Sequence, residues 1–248
     1  MTLNNLYRQK TVVTIYRVFI SFFLISLITV PLYFLWYPYP FNKILDINHL
    51  ILMIFLIDIV LAGLFTFIFF DSKRKDNKLN MRIITIIQIA AFLFGFYFFV
   101  QVRPAWLVQH QDRIYLVQPW SGIFPEKTNK FEQLLSQPWL GPEFKSVKFS
   151  EEKIKKQNQI YQSVSGIGLE YQPLEYHSFD QDSAMRYAQN ISQLQQFNSQ
   201  NDINAVLKNY SQQPKLWLAL RSPENTKDMV ILLNNNGSVI DIVDLRPW

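Results

Sequence analysis

Residues 49–70 read HLILMIFLIDIVLAGLFTFIFF, and Asp58 is the one acidic residue in this stretch, which contains neither lysine nor arginine. A helix rises about 1.5 Å per residue, so a run of about 20 apolar residues matches a hydrocarbon core of about 30 Å. The stretch therefore predicts a transmembrane helix.

Two further apolar stretches, residues 18–36 and 83–102, have the same length and character. A cleaved signal peptide is the alternative explanation for the first of them. That stretch is longer than a usual signal-peptide core, however, and it ends in Trp36-Tyr37-Pro38-Tyr39-Pro40 instead of small residues. We therefore expect three spans, at about 18–36, 49–70 and 83–102.

Basic residues indicate the orientation of these spans. The loop between the first two spans carries only Lys43, whereas five basic residues lie in or just after the loop between the second and third spans: Lys73, Arg74, Lys75, Lys78 and Arg82. Cytoplasmic segments are enriched in lysine and arginine, and Arg8, Lys10 and Arg17 before the first span agree with this orientation. We expect the N-terminus and the basic loop in the cytoplasm, and the C-terminal part in the periplasm of a bacterial inner membrane.

The whole-chain composition, 49% hydrophobic and 17% charged, averages two unlike parts. Residues 1–102 form the predicted transmembrane region, and residues 103–248 are rich in Gln, Asn, Ser and Lys. A polar segment of that length can bury a hydrophobic core of its own. We expect a soluble domain there, with its boundary near Arg103-Pro104.

Short alternating runs and helical spacings predict an α+β fold with an antiparallel sheet for this domain. The strongest hairpin signal is Asn234-Asn235-Asn236-Gly237 between two apolar runs. Predicted strands cover 105–109, 113–117, 215–220, 229–233 and 239–245, and predicted helices cover 180–197 and 202–210.

Several classes of chemistry lack a signal in the sequence. The chain has no cysteine, and its histidines show no metal-binding spacing. Only seven glycines occur, and no phosphate loop, dinucleotide fingerprint or nucleophile elbow is present. The net charge of +5 lies largely beside apolar segments, so it reports membrane orientation instead of nucleic-acid binding. We expect no catalytic residue, metal or cofactor, and the oligomeric state is open.

Asp58 is the candidate binding residue within the membrane. A carboxylate at that depth costs about 2.5 to 3.5 kcal/mol, so it needs a partner. The partner is either another membrane protein or the helix bundle itself, and both readings stay open. Gln88 and Thr66 could hydrogen-bond each other, while Gly63 and Gly95 allow helices to approach closely. No second carboxylate, lysine or histidine lies at the depth of Asp58, which argues against a proton pathway and so against transport.

Several fragments together form a specific pattern. They are Trp36, Tyr37, Pro38, Leu52-Met53, Asp58, Gly63, Thr66, the cytoplasmic lysines, Gln88, Gly95-Phe96-Tyr97, Arg103, Pro104 and Asp244-Leu245-Arg246-Pro247-Trp248. This pattern resembles the TfpX/TfpZ family of type IV pilin accessory proteins. The resemblance spans the membrane region and the extreme C-terminus. One departure is Leu64 after Gly63, where the family tends to have proline, so we expect a weaker kink.

The resemblance implies a non-enzymatic, chaperone-like protein that binds a cognate type IV pilin, major or minor, and supports its stability or assembly. On this reading Asp58, Gly63, Thr66, Gln88 and Gly95 are the candidate contacts in the membrane.

Two other classes remain as alternatives. A membrane-bound pilin-modifying enzyme would need a cluster of reactive residues, for which Asp46, His49, Arg103 and Asp112 are the candidates. A transmembrane sensor would need a cytoplasmic output domain, but the predicted cytoplasmic segments, 1–17 and 71–82, are too short for one. Both are less well supported by the sequence.

Overall fold

A computed structural model describes residues 3–71, 75–125, 128–223 and 227–248. The chain forms two compact units. The membrane unit comprises Met1–Leu35 and Asp46–Gln101, and the C-terminal unit comprises Trp36–Leu45 and Val102–Trp248. Lys73 and Arg74, two of the basic residues that predict the orientation, lie outside the described residues.

Long apolar helices make up the membrane unit. The helices up to residue 101 are α1 (Leu3–Trp36), α2 (Phe41–Ile44), α3 (Ile47–Val60), α4 (Thr66–Phe69) and α5 (Asn77–Gln101). Three segments are long and apolar enough to cross a membrane by length and composition: Tyr7–Trp36, Ile47–Phe69 and Asn77–Gln101. The prediction of three apolar helices is confirmed.

The first and third helices begin earlier than the predicted spans at 18 and 83. Residues 7–17 and 77–82 are more polar than the segments they precede, but they contain neither glycine nor proline. Nothing in them therefore interrupts the helical hydrogen bonds. This extension places Arg17 inside α1, although its charge suggested a position before the span.

A π-helical turn, Leu61–Phe65, joins α3 to α4 and contains Gly63. A π-helical turn inserts one extra residue into a helix and shifts the faces on either side of it relative to each other. The second span therefore has a local irregularity even though Leu64 replaces the proline that the family resemblance leads us to expect.

The C-terminal unit is built on an eight-stranded sheet with the order β4-β3-β1-β2-β6-β7-β8, in which β5 also pairs with β6. The strands are β1 (Trp106–His110), β2 (Arg113–Val117), β3 (Glu143–Ser146), β4 (His177–Ser178), β5 (Gln189–Asn190), β6 (Leu216–Arg221), β7 (Met229–Leu233) and β8 (Val239–Val243). Most pairs are antiparallel, as predicted, but β1 with β3 and β2 with β6 are parallel. The sheet is therefore mixed, because long connections return the chain in the same direction at these two places.

The predicted Asn-Gly hairpin forms, and the predicted strands at 105–109 and 113–117 also pair as a hairpin. The β1–β2 hairpin turns at Gln111, whose φ of 57° is left-handed. The β7–β8 hairpin turns through Asn234–Ser238, and Gly237 has a φ of 80°. A Cβ atom at Gly237 would collide with the carbonyl oxygen of Gln181, so glycine is required there for two reasons.

Besides α2, the C-terminal unit contains α6 (Lys130–Leu135), α7 (Lys153–Val164), α8 (Gln181–Tyr187) and α9 (Gln200–Leu207). The predicted helix over 180–197 is wrong, because it breaks after Tyr187 into β5 and a 3-10 helix, Ile191–Gln196. The Asn190 side chain accepts from the Ser192 amide and so starts a new turn, while the Asn190 carbonyl accepts from the Trp217 indole.

The segment Trp36–Leu45 corrects the domain boundary predicted at residue 102. Phe41 and Ile44, on α2, are 7% and 1% exposed and pack in the same hydrophobic core as Leu107 and Ile231. Lys43 also forms an ion pair with Asp244, at 3.4 Å. The connection between the first two apolar helices is therefore a structural part of the C-terminal unit.

Candidate functional site

Asp58 is the centre of a polar cluster among apolar helices. It lies on α3 and is 5% exposed. The hydroxyl of Ser21, on α1, donates to its two carboxylate oxygens at 2.8 and 2.6 Å. The bundle therefore supplies a hydrogen-bonding partner for the carboxylate, as a polar group in an apolar setting requires.

Gln88, on α5, connects Asp58 to a second charged residue, Arg17. The Gln88 amide nitrogen lies 3.5 Å from Asp58 Oδ1, and its oxygen accepts from Arg17 Nε at 3.0 Å and from Nη2 at 2.7 Å. Arg17 also donates to the hydroxyl of Thr85 and, at 3.4 Å, to the carbonyl of Met81. The chain Arg17–Gln88–Asp58 thus links a basic and an acidic side chain through one neutral amide.

The sequence analysis missed Arg17 and Ser21 as members of this cluster. Arg17 was assigned to the cytoplasmic flank of a span that was taken to begin at residue 18, so it was not considered as a neighbour of Asp58. The available signal was their spacing. Residues four apart in a helix lie on the same face, so Arg17 and Ser21 point to the same side of α1.

The cluster opens into a groove of about 470 Å³ within the membrane unit. Its polar part is formed by Arg17, Ser21, Asp58, Thr85 and Gln88, and its walls are formed by aliphatic side chains of α1 together with Ile89 and Phe92 of α5. Several wall residues are strongly exposed, including Leu24 at 54% and Leu27 at 61%. The groove has the chemistry of a site for an apolar segment that carries a hydrogen-bonding group.

The two glycines expected to allow close helix approach, Gly63 and Gly95, differ in how tightly their helices pack. A Cβ atom at Gly95 would lie 3.0 Å from Ile54 Cγ1, which is closer than an ordinary contact. A Cβ atom at Gly63 would lie 3.5 Å from Val18 Cγ2, an ordinary van der Waals distance. Gly95 therefore allows the close approach of α3 and α5, and Gly63 packs against α1.

Thr66 does not join the polar cluster. Its side chain is fully buried, but its hydroxyl has no hydrogen-bond partner among the residues that the structure describes. The suggested Gln88–Thr66 hydrogen bond is therefore wrong. Gln88 instead contacts Arg17, Ser21 and Asp58, because these side chains converge on it from α1 and α3.

A second cluster, in the C-terminal unit, gathers Arg103 with two tryptophans. The guanidinium carbon of Arg103 lies 4.2 Å from the ring centre of Trp139 and 5.5 Å from that of Trp36, and the residue is 1% exposed. Its Nη2 donates to Gln137 Oε1 and to the Pro138 carbonyl, each at 3.3 Å. Such cation–π contacts strengthen when the cation is desolvated.

Burial shapes the acid–base properties of this cluster. It lowers the pKa of Arg103 from 12.5 to about 10, although the nearby Tyr37 opposes the shift. Burial also raises the pKa of Tyr37 well above its ordinary value, against the influence of Arg103. Arg103 is still protonated at neutral pH, so the cluster holds a buried positive charge between aromatic faces.

The remaining family-motif residues have structural surroundings. Pro38 accepts from the Phe41 amide at 2.8 Å, and Pro104 and Pro247 are buried. The backbone of Arg246 exchanges two hydrogen bonds with the Asn198 side chain, both 2.8 Å long. Trp248 donates to Asp228 at 3.0 Å, and the guanidinium groups of Arg113 and Arg221 lie over its ring.

The four residues considered for an enzyme are divided between the two units. Asp46 pairs with His49 at 2.8 Å on an exposed surface of the membrane unit. In the C-terminal unit, Arg103 precedes β1 and Asp112 follows it, and a five-residue strand separates its ends by about 14 Å. Within the described parts of the chain, no group of His, Cys, Asp or Glu side chains could hold a metal ion.

Fold and cluster together define a class of membrane protein in which three apolar helices, with a polar cluster among them, accompany a mixed-sheet domain. The chain is similar to the fimbrial assembly proteins of serogroups I and E1 of Dichelobacter nodosus. Both are 24% identical to it, over 225 and 227 residues, and each match covers 88% of either chain.

A third relative is the fimbrial assembly protein of serogroups C1 and C2 of the same organism. It is 30% identical over 97 residues, which cover 38% of this chain and 74% of the relative. The chain belongs to the family of these fimbrial assembly proteins. No family model matches the chain. No solved structure matches it either.

Proposed function

We propose that this protein is an inner-membrane accessory protein of type IV pilus assembly, which binds a cognate pilin and supports its stability or incorporation. Its relatives are named fimbrial assembly proteins, which supports the assembly role. The finer assignment, to the TfpX/TfpZ group of pilin accessory proteins, rests on the resemblance given by the sequence motifs.

The observation that carries the proposal is the groove above Asp58. Its aliphatic walls offer packing to an apolar helix, and its polar part offers hydrogen bonds at one depth. Helices associate in membranes through close packing and interhelical hydrogen bonds, since lipid provides no hydrophobic drive between them. A pilin that waits in the membrane presents such a helix, with a globular head outside.

The C-terminal unit has a matching role in this proposal. The basic residues around 73–82 favour the cytoplasmic side for that loop, and three crossings then leave the C-terminal unit in the periplasm. There it would meet the pilin head, with strand addition to an exposed sheet edge as one mode of recognition. We propose a non-enzymatic action, because binding through these two parts requires no chemical step.

The central test is the recovery of pilin with variants of Asp58. Asp58→Asn removes the charge but keeps an acceptor for Ser21, and Asp58→Leu removes both. In cells that carry the variants, we expect less pilin to co-purify and less pilin to accumulate, with Asp58→Leu the more severe. Asp71→Asn makes the same chemical change outside the three apolar helices and serves as the matched control.

A second pair of variants separates groove occupancy from the internal stability of the bundle. Leu24 lines the groove and is 54% exposed, so Leu24→Trp fills the groove without replacing a packed side chain. Leu93 is 58% exposed and is not one of the groove-lining residues, so Leu93→Trp is its control. We expect Leu24→Trp to reduce pilin capture and Leu93→Trp to leave it unchanged. Equal capture by both variants, at normal expression, would refute the groove as the pilin site.

A further inference from the structure

An apolar patch of the C-terminal unit lies next to the residues at which the chain leaves the membrane helices. The patch has two parts: Leu134, Leu135, Trp139 and Leu140 in one segment, which are 39%, 66%, 39% and 83% exposed, and Trp120, which is 62% exposed. Large apolar side chains that cluster at a surface usually mark a contact with a partner or a membrane. The contacts of this patch with the ends of the candidate spans favour a membrane over a protein partner.

One anchor joins the patch to the end of the first candidate span. Trp36 is the last residue of that span, and its indole nitrogen donates to the carbonyl of Trp139 at 2.6 Å. The preceding carbonyl, of Pro138, accepts from Arg103, which lies two residues beyond the third candidate span. Leu140 follows directly in the chain. The segment that carries Trp139 and Leu140 is therefore in direct contact with residues at the ends of two spans.

A second anchor reaches the other part of the patch independently. The side chain of Gln118 donates to the carbonyl of Val102, the residue that follows the third candidate span. The Gln118 oxygen in turn accepts from the indole of Trp120 at 2.8 Å. Trp120 is thus one hydrogen-bonded side chain away from the end of a membrane helix.

The dimensions of a bilayer place both anchors at its interface. The polar region on each side of the hydrocarbon core is about 5 to 8 Å thick. Groups that are hydrogen-bonded to residues at the span ends are held beside this region. Tryptophan favours this region because its ring is amphipathic. The transfer of exposed leucine side chains from water to the acyl boundary lowers the free energy.

We propose that the patch of Trp120, Leu134, Leu135, Trp139 and Leu140 is a membrane-contact surface that inserts into the lipid interface. It holds the C-terminal unit against the bilayer surface from which its chain emerges. The buried Arg103 and Trp36 serve as positioning residues for this surface, because they fix the backbone of residues 137–139. The inference depends on the spans and on these contacts, and not on the pilin.

The absence of cysteine from the chain allows a direct test by single-cysteine spin labelling. Leu140→Cys and Leu135→Cys place a nitroxide label on the patch. Val164→Cys places it at the end of α7, where Val164 is 84% exposed, compared with 83% for Leu140. The full-length protein is reconstituted in vesicles of phosphatidylethanolamine and phosphatidylglycerol, and the relaxation of each label by oxygen and by a water-soluble nickel chelate is measured.

We expect the labels at 140 and 135 to be more accessible to oxygen than to the nickel chelate, and the label at 164 to show the reverse. Because the replaced side chains are exposed, the substitutions leave the packing of the unit intact. Purified protein in vesicles contains no pilin or other partner that could cover the patch. Strong relaxation of the label at 140 by the nickel chelate, equal to that at 164, would overturn the proposal.

Discussion

The hydroxyl of Ser21 lies 2.8 and 2.6 Å from the two carboxylate oxygens of Asp58, so one donor on α1 is shared between both oxygens of an acid on α3. The amide of Gln88 approaches the same carboxylate from α5 at 3.5 Å. Three helices therefore meet at a single acidic side chain. The hydrogen bonds of the candidate site therefore also stabilise the helix bundle.

Ser21→Ala tests the contribution of these hydrogen bonds to the stability of the bundle. The substitution removes the closest donor to the Asp58 carboxylate and leaves the helix backbone unchanged. Hydrogen bonds between membrane helices contribute about 0.6 kcal/mol on average and up to about 1.7 kcal/mol, so we expect a loss of stability in that range. Thermal unfolding of the purified protein in detergent measures it. Ser26→Ala, one and a half turns along the same helix, is the control and should change the midpoint less.

The two glycines of the membrane unit predict opposite responses to alanine. At Gly95 the new methyl group would press on Ile54 at 3.0 Å, whereas at Gly63 it would meet Val18 at 3.5 Å. Overpacking costs about 1 to 3 kcal/mol, while alanine favours a helix over glycine by about 1 kcal/mol. We expect Gly95→Ala to be less stable than Gly63→Ala in the same detergent unfolding assay. Equal midpoints would show that α3 and α5 are not closely packed at this position.

Local signals predicted much of this architecture from the sequence. The three apolar helices, the Asn-Gly hairpin and the importance of Asp58 as a buried polar group all depend on neighbouring residues. The break in the helix predicted over 180–197 depends instead on Trp217, which is distant in sequence. Its indole donates to the Asn190 carbonyl, and its strand β6 pairs with β5. The packing of Phe41 and Ile44 into the core is similarly long-range.

The candidate site likewise combines a residue that local sequence signals indicated with one that only the three-dimensional contacts revealed. Asp58 stood out because its charge conflicts with its apolar neighbours. Arg17 did not, because its charge was fully explained as a marker of membrane orientation. Only the position of Gln88 between Arg17 and Asp58 shows that this arginine belongs to the cluster. A charged residue at the end of an apolar stretch can therefore set the membrane orientation and also belong to the polar cluster between the helices.

Arg103→Lys tests the aromatic cluster of the C-terminal unit. Lysine keeps the positive charge, but it lacks the planar group that stacks on Trp139 and donates to Gln137 and Pro138. We expect a loss of about 2 kcal/mol or more, since a desolvated cation–π contact and hydrogen bonds are lost together. Tryptophan fluorescence during denaturant unfolding reports the change.

Arg113→Lys is the matched control for Arg103→Lys. Arg113 also lies over a tryptophan, at 5.2 Å from the Trp248 ring centre, but its side chain is 39% exposed. An exposed contact of this kind contributes about 0.5 to 1 kcal/mol. If Arg103→Lys destabilises the protein no more than Arg113→Lys does, burial does not strengthen the cluster.

Asp244 predicts an acid-dependent loss of stability in the C-terminal unit. Burial alone would raise its pKa, but the ion pairs with Lys227 and Lys43 outweigh it, so the pKa lies below its ordinary value. A carboxyl group whose pKa is depressed by folding stabilises the native state above its unfolded pKa of about 3.9. That contribution disappears as the pH falls through the lower native pKa.

The measurement is unfolding of the full-length protein in detergent as a function of pH. We expect the wild-type protein to lose more stability below about pH 4 than Asp244→Asn, which has no proton to bind at this position. Asp112→Asn, a change at an exposed hairpin turn, should retain the wild-type pH profile. Parallel profiles for the wild type and Asp244→Asn would show that the two lysines do not stabilise the carboxylate.

The proposed orientation predicts the activity of reporters fused along the chain. Alkaline phosphatase folds to its active form in the periplasm, where its disulfides are formed, whereas cytoplasmic conditions keep thiols reduced. A fusion after Trp248 should therefore be active, and a fusion within the basic loop, after Asp76, should be inactive. A fluorescent protein that folds only in the cytoplasm should give the inverse pattern at the same two positions. Phosphatase activity at Asp76 together with inactivity at Trp248 would reverse the orientation, and a periplasmic meeting between the C-terminal unit and a pilin head would then be impossible.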